Sequence, residues 1–319
     1  MSKSRVVLTD QVFPDVELER AALAEIDATL EVASGTKEDA IALAGGADAL
    51  LNTYLPIDSG DLDRLGGCRI IARYGIGVDN IDVAAAAQRG IVVTNVPDYC
   101  IEEVASHALA MIMALLRKLP AGQEQLLAGA WGVDGLRPML RPSEATAGLV
   151  GYGRIARHLA GVLRAMGMRI LTYDPFLPDG AVTDAEQVDL DGLLEHSDVI
   201  SLHCPLTEGT RGLIGAPQLA RMRPGAVLVN TSRGPLVRFA DLVDALRAGR
   251  IGGAGLDVFE TEPPDTEVLA GVPGLLATPH SAFYSEAALR ESQRKAVTQV
   301  IKVLRGERPD YPVAPPAGS

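Results

Sequence analysis

Three residues of the 319-residue chain combine types and surroundings suited to proton and anion chemistry: Arg233, Glu262 and His280. They stand in NTSRG (230–234), DVFETEP (257–263) and TPHSA (278–282), each just past a short apolar run that reads as a β-strand. A histidine titrates near neutrality and can give or take a proton at a substrate oxygen. A glutamate beside it would orient the imidazole and favour its charged form. An arginine grips a carboxylate through two parallel hydrogen bonds and polarises an adjoining carbonyl, a geometry that lysine does not reproduce. Together the three suit hydride transfer at a carbon bearing oxygen. The other four histidines, His107, His158, His196 and His203, read as structural.

A hydride needs a carrier, and a second stretch offers it a seat. Thr146–Val150 is predicted as a strand, Gly151–Gly153 as a tight turn, Arg154–Met166 as a helix and Met168–Tyr173 as a strand ending at Asp174. This βαβ unit carries the glycines of a dinucleotide fingerprint, with Ala156 in the third position. Gly151 permits the turn, Gly153 leaves room for a pyrophosphate, and the N–H groups opening the helix face it. Asp174 is set to accept ribose hydroxyls; Pro175 and Phe176 follow it with no cation for a 2′-phosphate, so NAD is expected over NADP. A third stretch, Arg73-Tyr74-Gly75-Ile76-Gly77-Val78, follows another strand. Its two glycines suggest a backbone nest for a carboxylate, with Arg73 as a second contact.

These groups need a frame that brings strand ends to one edge. Further strands are predicted at Arg5–Thr9, Thr29–Val32, Ala49–Asn52, Arg69–Arg73, Ile91–Val93, Val199–Leu202, Ala226–Asn230, Gly253–Leu256 and Leu275–Ala277. Helices are predicted over Val16–Ile26, Ile101–Lys118 and Ser285–Arg305. Such alternation implies an α/β fold with parallel sheets, in which ligands bind past the carboxyl ends of the strands. Pro120 is expected to end the long helix and to open a polar arm, 121–145, that contains Trp131 and could pack on a partner subunit. Pro312–Ser319 is expected to fray.

The chain is long enough for two domains, each with its own core. A formal charge of -12 argues against non-specific nucleic-acid binding and against a polybasic membrane surface. The most apolar run, Val104–Leu116, is too short to span a bilayer, and the N-terminus has no signal-peptide core. Cys68, Cys100 and Cys204 form neither a disulfide framework nor a metal spacing, so a cytoplasmic protein without a bound metal is expected.

The stretches YGIGVDNID (74–82), GYGRIA (151–156), YDP (173–175), HCPLT (203–207), NTSRG, GLDVFETEP (255–263) and TPHSA run in a characteristic order and spacing. In this the chain resembles the D-isomer-specific 2-hydroxyacid dehydrogenases over nearly its whole length. The resemblance implies two flavodoxin/Rossmann-like domains, with an NAD-binding domain at 98–284 inserted into a substrate domain built from 1–97 and 285–319. It implies a homodimer formed mainly through the nucleotide domains. It puts the catalytic trio on Arg233, Glu262 and His280. Cofactor contacts fall on Gly151, Gly153, Arg154, Ile155, Asp174, Cys204, Thr231 and Asp257, with Ile76 and Val104 near the nicotinamide. The substrate carboxylate falls to Arg73, Gly75, Ile76, Gly77 and Val78. The implied activity is NAD(H)-dependent interconversion of a small 2-oxo acid and its D-2-hydroxy acid. The family also holds NADH-sensing corepressors that keep the trio, so a dimeric binding module is the alternative.

Overall fold

The short apolar runs become strands buried on both faces, which is why they read as nearly continuous rather than alternating. They form two parallel sheets, one in each of two units: Met1–Tyr99 with Ser285–Ser319, and Cys100–Tyr284. The computed structural model describes residues 3–178 and 180–315.

The first unit begins β1 (Arg5–Leu8), α1 (Glu17–Ala24), β2 (Thr29–Val32), α2 (Lys37–Ala44), β3 (Ala49–Asn52), α3 (Ser59–Leu62), β4 (Ile70–Arg73), α4 (Val83–Gln88) and β5 (Val92–Thr94). Capping boxes at Thr36/Asp39 and Asp58/Asp61 start α2 and α3. The sheet order is β2-β1-β3-β4-β5, the flavodoxin-like arrangement.

The second unit runs α5 (Ile101–Leu116), α6 (Leu119–Leu127), β6 (Thr146–Val150), α7 (Arg154–Ala165), β7 (Arg169–Tyr173), β8 (Glu186–Gln187), α8 (Leu190–His196), β9 (Val199–Leu202), α9 (Ala216–Arg221), β10 (Val227–Asn230), α10 (Phe239–Arg247), β11 (Gly253–Leu256), α11 (Thr266–Leu269) and β12 (Leu275–Ala277). The order β12-β11-β10-β9-β6-β7-β8 reverses direction between β6 and β9, which is where an open α/β sheet leaves its ligand crevice. Alternate strand residues feed two cores. Val150, Ile200, Leu228 and Leu256 pack toward α8, α9 and α10, while Leu149, Val199 and Val229 pack toward α5 and α7.

The chain then returns to the first unit as α12 (Glu286–Leu304), capped by Ser285. Leu23 of α1 and Ala296, Val297 and Val300 of α12 cover one face of that sheet, and Ala44, Leu62 and Ala86 cover the other.

Four details depart from the sequence-based expectations. The long helix stops at Leu116, because Lys118 turns left-handed at φ 49°. Pro120 then sits in the first turn of α6, where its missing N–H costs nothing, so it begins a helix as well as ending one. The stretch 121–145 is accordingly part helical, with short 3₁₀ turns at Asp134–Leu136 and Pro142–Glu144. Strand β8 was not expected, since two polar residues at a sheet edge carry no apolar signal. The start of the tail is tied down rather than frayed: the Val313 amide donates to Val93 O at 2.8 Å, and Pro312 bridges Thr94. Pro316–Ser319 lie outside the described residues.

Among the described residues no single helix is long and apolar enough to cross a membrane. The bent pair α5 and α6 matches in length and composition, but α5 lies buried against α7, β10 and β11.

Candidate active site

The loops after β10, β11 and β12 carry the three residues singled out for proton and anion chemistry, and two of them touch. Glu262 Oε2 lies 2.6 Å from His280 Nδ1, and Glu262 Oε1 accepts the Phe259 amide at 2.9 Å. Burial raises the Glu262 carboxyl, but the hydrogen bonds from His280 and Phe259, with the charges of His280 and Arg233, outweigh it. The carboxyl is held below the ordinary glutamate range and is ionised at neutral pH. Arg233 is half-buried; its guanidinium donates to Ser232 O at 2.8 Å, and its own carbonyl accepts from Asn230 Nδ2 at 2.8 Å.

His280 has φ 51°, a left-handed conformation that a non-glycine residue holds only when its surroundings impose it. Asp257 supplies that constraint. Its backbone carbonyl accepts the His280 amide at 2.8 Å, while its buried carboxylate takes the amides of Ser281 and Ala282 at 2.9 Å each. The same carboxylate accepts the Thr278 hydroxyl at 2.5 Å.

At the crevice between β6 and β9, Gly151 has φ 87°, and a Cβ there would lie 2.8 Å from the Cys204 amide and 2.9 Å from the His203 carbonyl carbon. Only glycine fits that crossing. Gly153 caps α7 with extended backbone and no side-chain hydrogen bond, leaving the first-turn amides of the helix open. Asp174 Oδ2 accepts the Tyr152 amide at 2.9 Å, and Oδ1 accepts the Phe176 amide at 3.1 Å.

In the first unit the loop after β4 turns its carbonyls inward. Tyr74 O accepts from Ser292 Oγ, Gly75 O from the Val96 amide at 3.1 Å, and Ile76 O from Asn95 Nδ2 at 2.7 Å. Among the described residues, the amides of Gly75, Ile76, Gly77 and Val78 donate to no protein acceptor. Arg73 folds back over this loop so closely that a Cβ on Gly75 would meet Nη1 at 1.6 Å. A row of open amides beside a guanidinium is an anion-binding surface.

Residues 109–282 match the family described as D-isomer specific 2-hydroxyacid dehydrogenase, NAD binding domain. The chain is 38% identical to glyoxylate reductase of Korarchaeum cryptofilum over 292 residues, which cover 89% of this chain and 88% of that protein. The chain belongs to the D-isomer-specific 2-hydroxyacid dehydrogenases. It is also 34% identical to D-3-phosphoglycerate dehydrogenase of Methanocaldococcus jannaschii, covering 95% of this chain but only 58% of that longer protein. A glyoxylate reductase structure from Paecilomyes thermophila superposes with a TM-score of 0.89 at 28% identity, covering 98% of this chain and 99% of that one.

As a member of that family the chain is an NAD-dependent dehydrogenase, and its residues fit the cofactor. A Cβ on Gly153 would touch nothing within 4 Å, so the protein itself does not require glycine there, whereas a pyrophosphate over the α7 amides would. Arg154, exposed at the first position of α7, makes no hydrogen bond or ion pair among the described residues and is available to phosphate. The Thr231 hydroxyl is buried with no partner among the described residues, as expected of a group awaiting a ligand. Burial and then the charge of Asp174 push the Cys204 thiol up to about 11, so it lines the crevice as a neutral group. Ile155 is half-buried at the start of α7 and Val104 is buried near the start of α5, both in this unit; Ile76 belongs to the first unit.

Asp257, expected as a cofactor contact, also holds the 278–282 loop, its two carboxylate oxygens accepting the Ser281 and Ala282 amides. His107 fits its structural expectation: its Nε2 lies 3.0 Å from Thr278 Oγ1 and 3.7 Å from Asp257 Oδ1. The single hydroxyl proton of Thr278 goes to Asp257, so His107 must be the donor to Thr278 and braces the loop that carries His280. Its place one helical turn beyond Val104 was the available signal. His203 fits its structural expectation: burial lowers its imidazole to about 4, and Ser201 Oγ lies 2.9 Å from Nε2.

Proposed function

We propose that the chain interconverts a small 2-oxo acid and its D-2-hydroxy acid with NAD(H). The observation that carries the proposal is the 2.6 Å pairing of His280 with an ionised Glu262, beside Arg233. In the reductive direction the bound cofactor supplies a hydride to the carbonyl carbon. Protonated His280 donates to the carbonyl oxygen, as a general acid at that atom. Glu262, ionised and 2.6 Å from Nδ1, holds the ring in place for that transfer. Arg233 draws charge from the carbonyl and grips the carboxylate in a planar, two-toothed contact. The open amides of 75–78, with Arg73, suit a substrate carboxylate. In the reverse direction neutral His280 takes the alcohol proton.

The similarity to glyoxylate reductase makes glyoxylate the first substrate to test. The arm 121–145 supports a homodimer, because Leu126, Leu127, Trp131 and Val133 expose apolar surface on it, as does Leu119 just before it, Trp131 at 93%. All three cysteines are thiols, which supports the cytoplasm as the compartment.

NADH oxidation with glyoxylate, pyruvate and hydroxypyruvate, and chiral analysis of the products of the last two, tests the proposal. Saturable turnover to the D-hydroxy acid is expected with at least one. A protein that binds NADH and turns over none of them is a binding module instead.

A further inference from the structure

Glu19 is a carboxylate with no exposed surface; it and Leu23 are the buried residues of α1. An ionisable group in such a place is costly unless it is well bonded. Its partners come from distant parts of the chain: the Tyr74 hydroxyl donates to Oε1 at 2.9 Å, and Gln293 Nε2 of α12 donates to Oε2 at 3.2 Å. Burial first, then the nearby Asp15, raises the Glu19 carboxyl against these bonds, while burial keeps the Tyr74 phenol protonated and able to donate.

Tyr74 is the first residue of the loop whose amides stand open. Every polar group it has is fixed: its amide donates to Asn52 O at 2.9 Å, its carbonyl accepts from Ser292 Oγ, and its hydroxyl is held by Glu19. Its ring also meets Phe13 edge-on, with centroids 4.6 Å apart. Helices α1 and α12 thus hold Tyr74 through Glu19 and Ser292, and Gln293 of α12 steadies Glu19 in turn. A buried network of this kind, with every member satisfied, rigidifies what it touches.

We infer that Glu19, Tyr74 and Gln293 form a latch that holds the 75–78 amides in the orientation a substrate carboxylate needs, which makes Glu19 and Tyr74 positioning residues for substrate binding. The inference rests on the proposed role of that loop. It explains why a carboxylate persists where an apolar side chain would pack: the glutamate serves the loop above rather than the core around it. Neither residue touches substrate, so their loss acts on KM for the oxo acid and spares proton transfer at His280.

The test is steady-state kinetics of glyoxylate reduction, NADH affinity by fluorescence and thermal melting, on wild type and four variants. Tyr74→Phe keeps the ring and removes one buried hydrogen bond, and should raise KM about fivefold with little change in kcat or NADH affinity. Glu19→Leu should do the same. Glu19→Gln keeps an acceptor for the Tyr74 hydroxyl and should restore KM toward wild type. The double variant Glu19→Leu/Tyr74→Phe should be no worse than either single, the mark of two groups sharing one interaction. Wild-type KM in a folded Tyr74→Phe protein, or equal loss of kcat and kcat/KM across the series, overturns the latch alone. Absence of saturable turnover of any oxo acid by the wild type overturns the functional reading and the latch with it.

Discussion

Gly234→Ala isolates the backbone contact on which the reacting geometry depends. Gly234 directly follows Arg233, and a Cβ at this position would lie 1.9 Å from Phe259 C, 2.0 Å from Phe259 O and 2.5 Å from the Glu260 amide nitrogen. Ordinary carbon–carbon contact begins near about 3.5 Å, so the two loops must part by roughly 1.5 Å. Both sides are main chain, and no flexible tip can swing aside. Phe259 donates its amide to Glu262 Oε1, so the shift passes on one side to the partner of His280 and on the other to Arg233. Misplacing a reacting group by about 1 Å costs on the order of 10²-fold in rate. In barrier terms that is about 2.7 kcal/mol. The expected result is a roughly 10²-fold fall in kcat for glyoxylate reduction. NADH affinity by fluorescence titration should stay near wild type, because the Gly151–Asp174 turn is untouched. A folded Gly234→Ala protein with wild-type kcat would refute the idea that this contact sets the relation of Arg233 to Glu262.

Two further outcomes follow from single contacts. NADPH should be used at least about tenfold less efficiently than NADH, since a 2′-phosphate about 4 Å from Asp174 is repelled by about 4 kcal/mol at an effective dielectric of about 20 and a third of that suffices. Equal kcat/KM for the two cofactors would count against Asp174 as the discriminating group. Gly75→Ala should fold normally, as Gly75 does not have positive φ, yet its Cβ would displace the Arg73 guanidinium from 1.6 Å away. KM for the oxo acid should then rise with NADH affinity unchanged, and an unmoved KM would remove Arg73 from substrate binding.

The sheet-forming runs and the strand-end motifs were readable because each rests on local sequence. RVVL, ALLN and VISL are apolar at three of four positions each, and the fingerprint glycines sit at a strand-to-helix turn. What escaped is non-local. Glu19 lies in ELERAALA, where a glutamate in an amphipathic helix reads as solvent-facing; its partners stand 55 and 274 residues away. Gly234 looked like one more turn glycine, since its need for a missing Cβ comes from Phe259 on another loop. His107, one helical turn beyond Val104, was placed by sequence, but its partner, the Thr278 hydroxyl 171 residues on, was not. That Asp257 also holds the amides of Ser281 and Ala282 is likewise not written in the local sequence. Pro120 was half understood: proline stops one helix, but at the next position in space it can start another.

The central claim is that Glu262 and His280 work as one acid–base couple. The Glu262 carboxyl is held below its ordinary range, so it is ionised throughout neutral pH, and the coupling disappears only as pH falls through that lowered value. Glu262→Gln removes the charge but keeps the shape and an acceptor oxygen for the imidazole N–H. The measurement is the pH dependence of kcat/KM for oxo-acid reduction, in wild type and Glu262→Gln side by side. Reduction requires the protonated imidazole, which the carboxylate favours, so the alkaline limb should move to lower pH in Glu262→Gln. A limb at the same pH in both proteins would contradict the couple and leave the 2.6 Å contact a structural one.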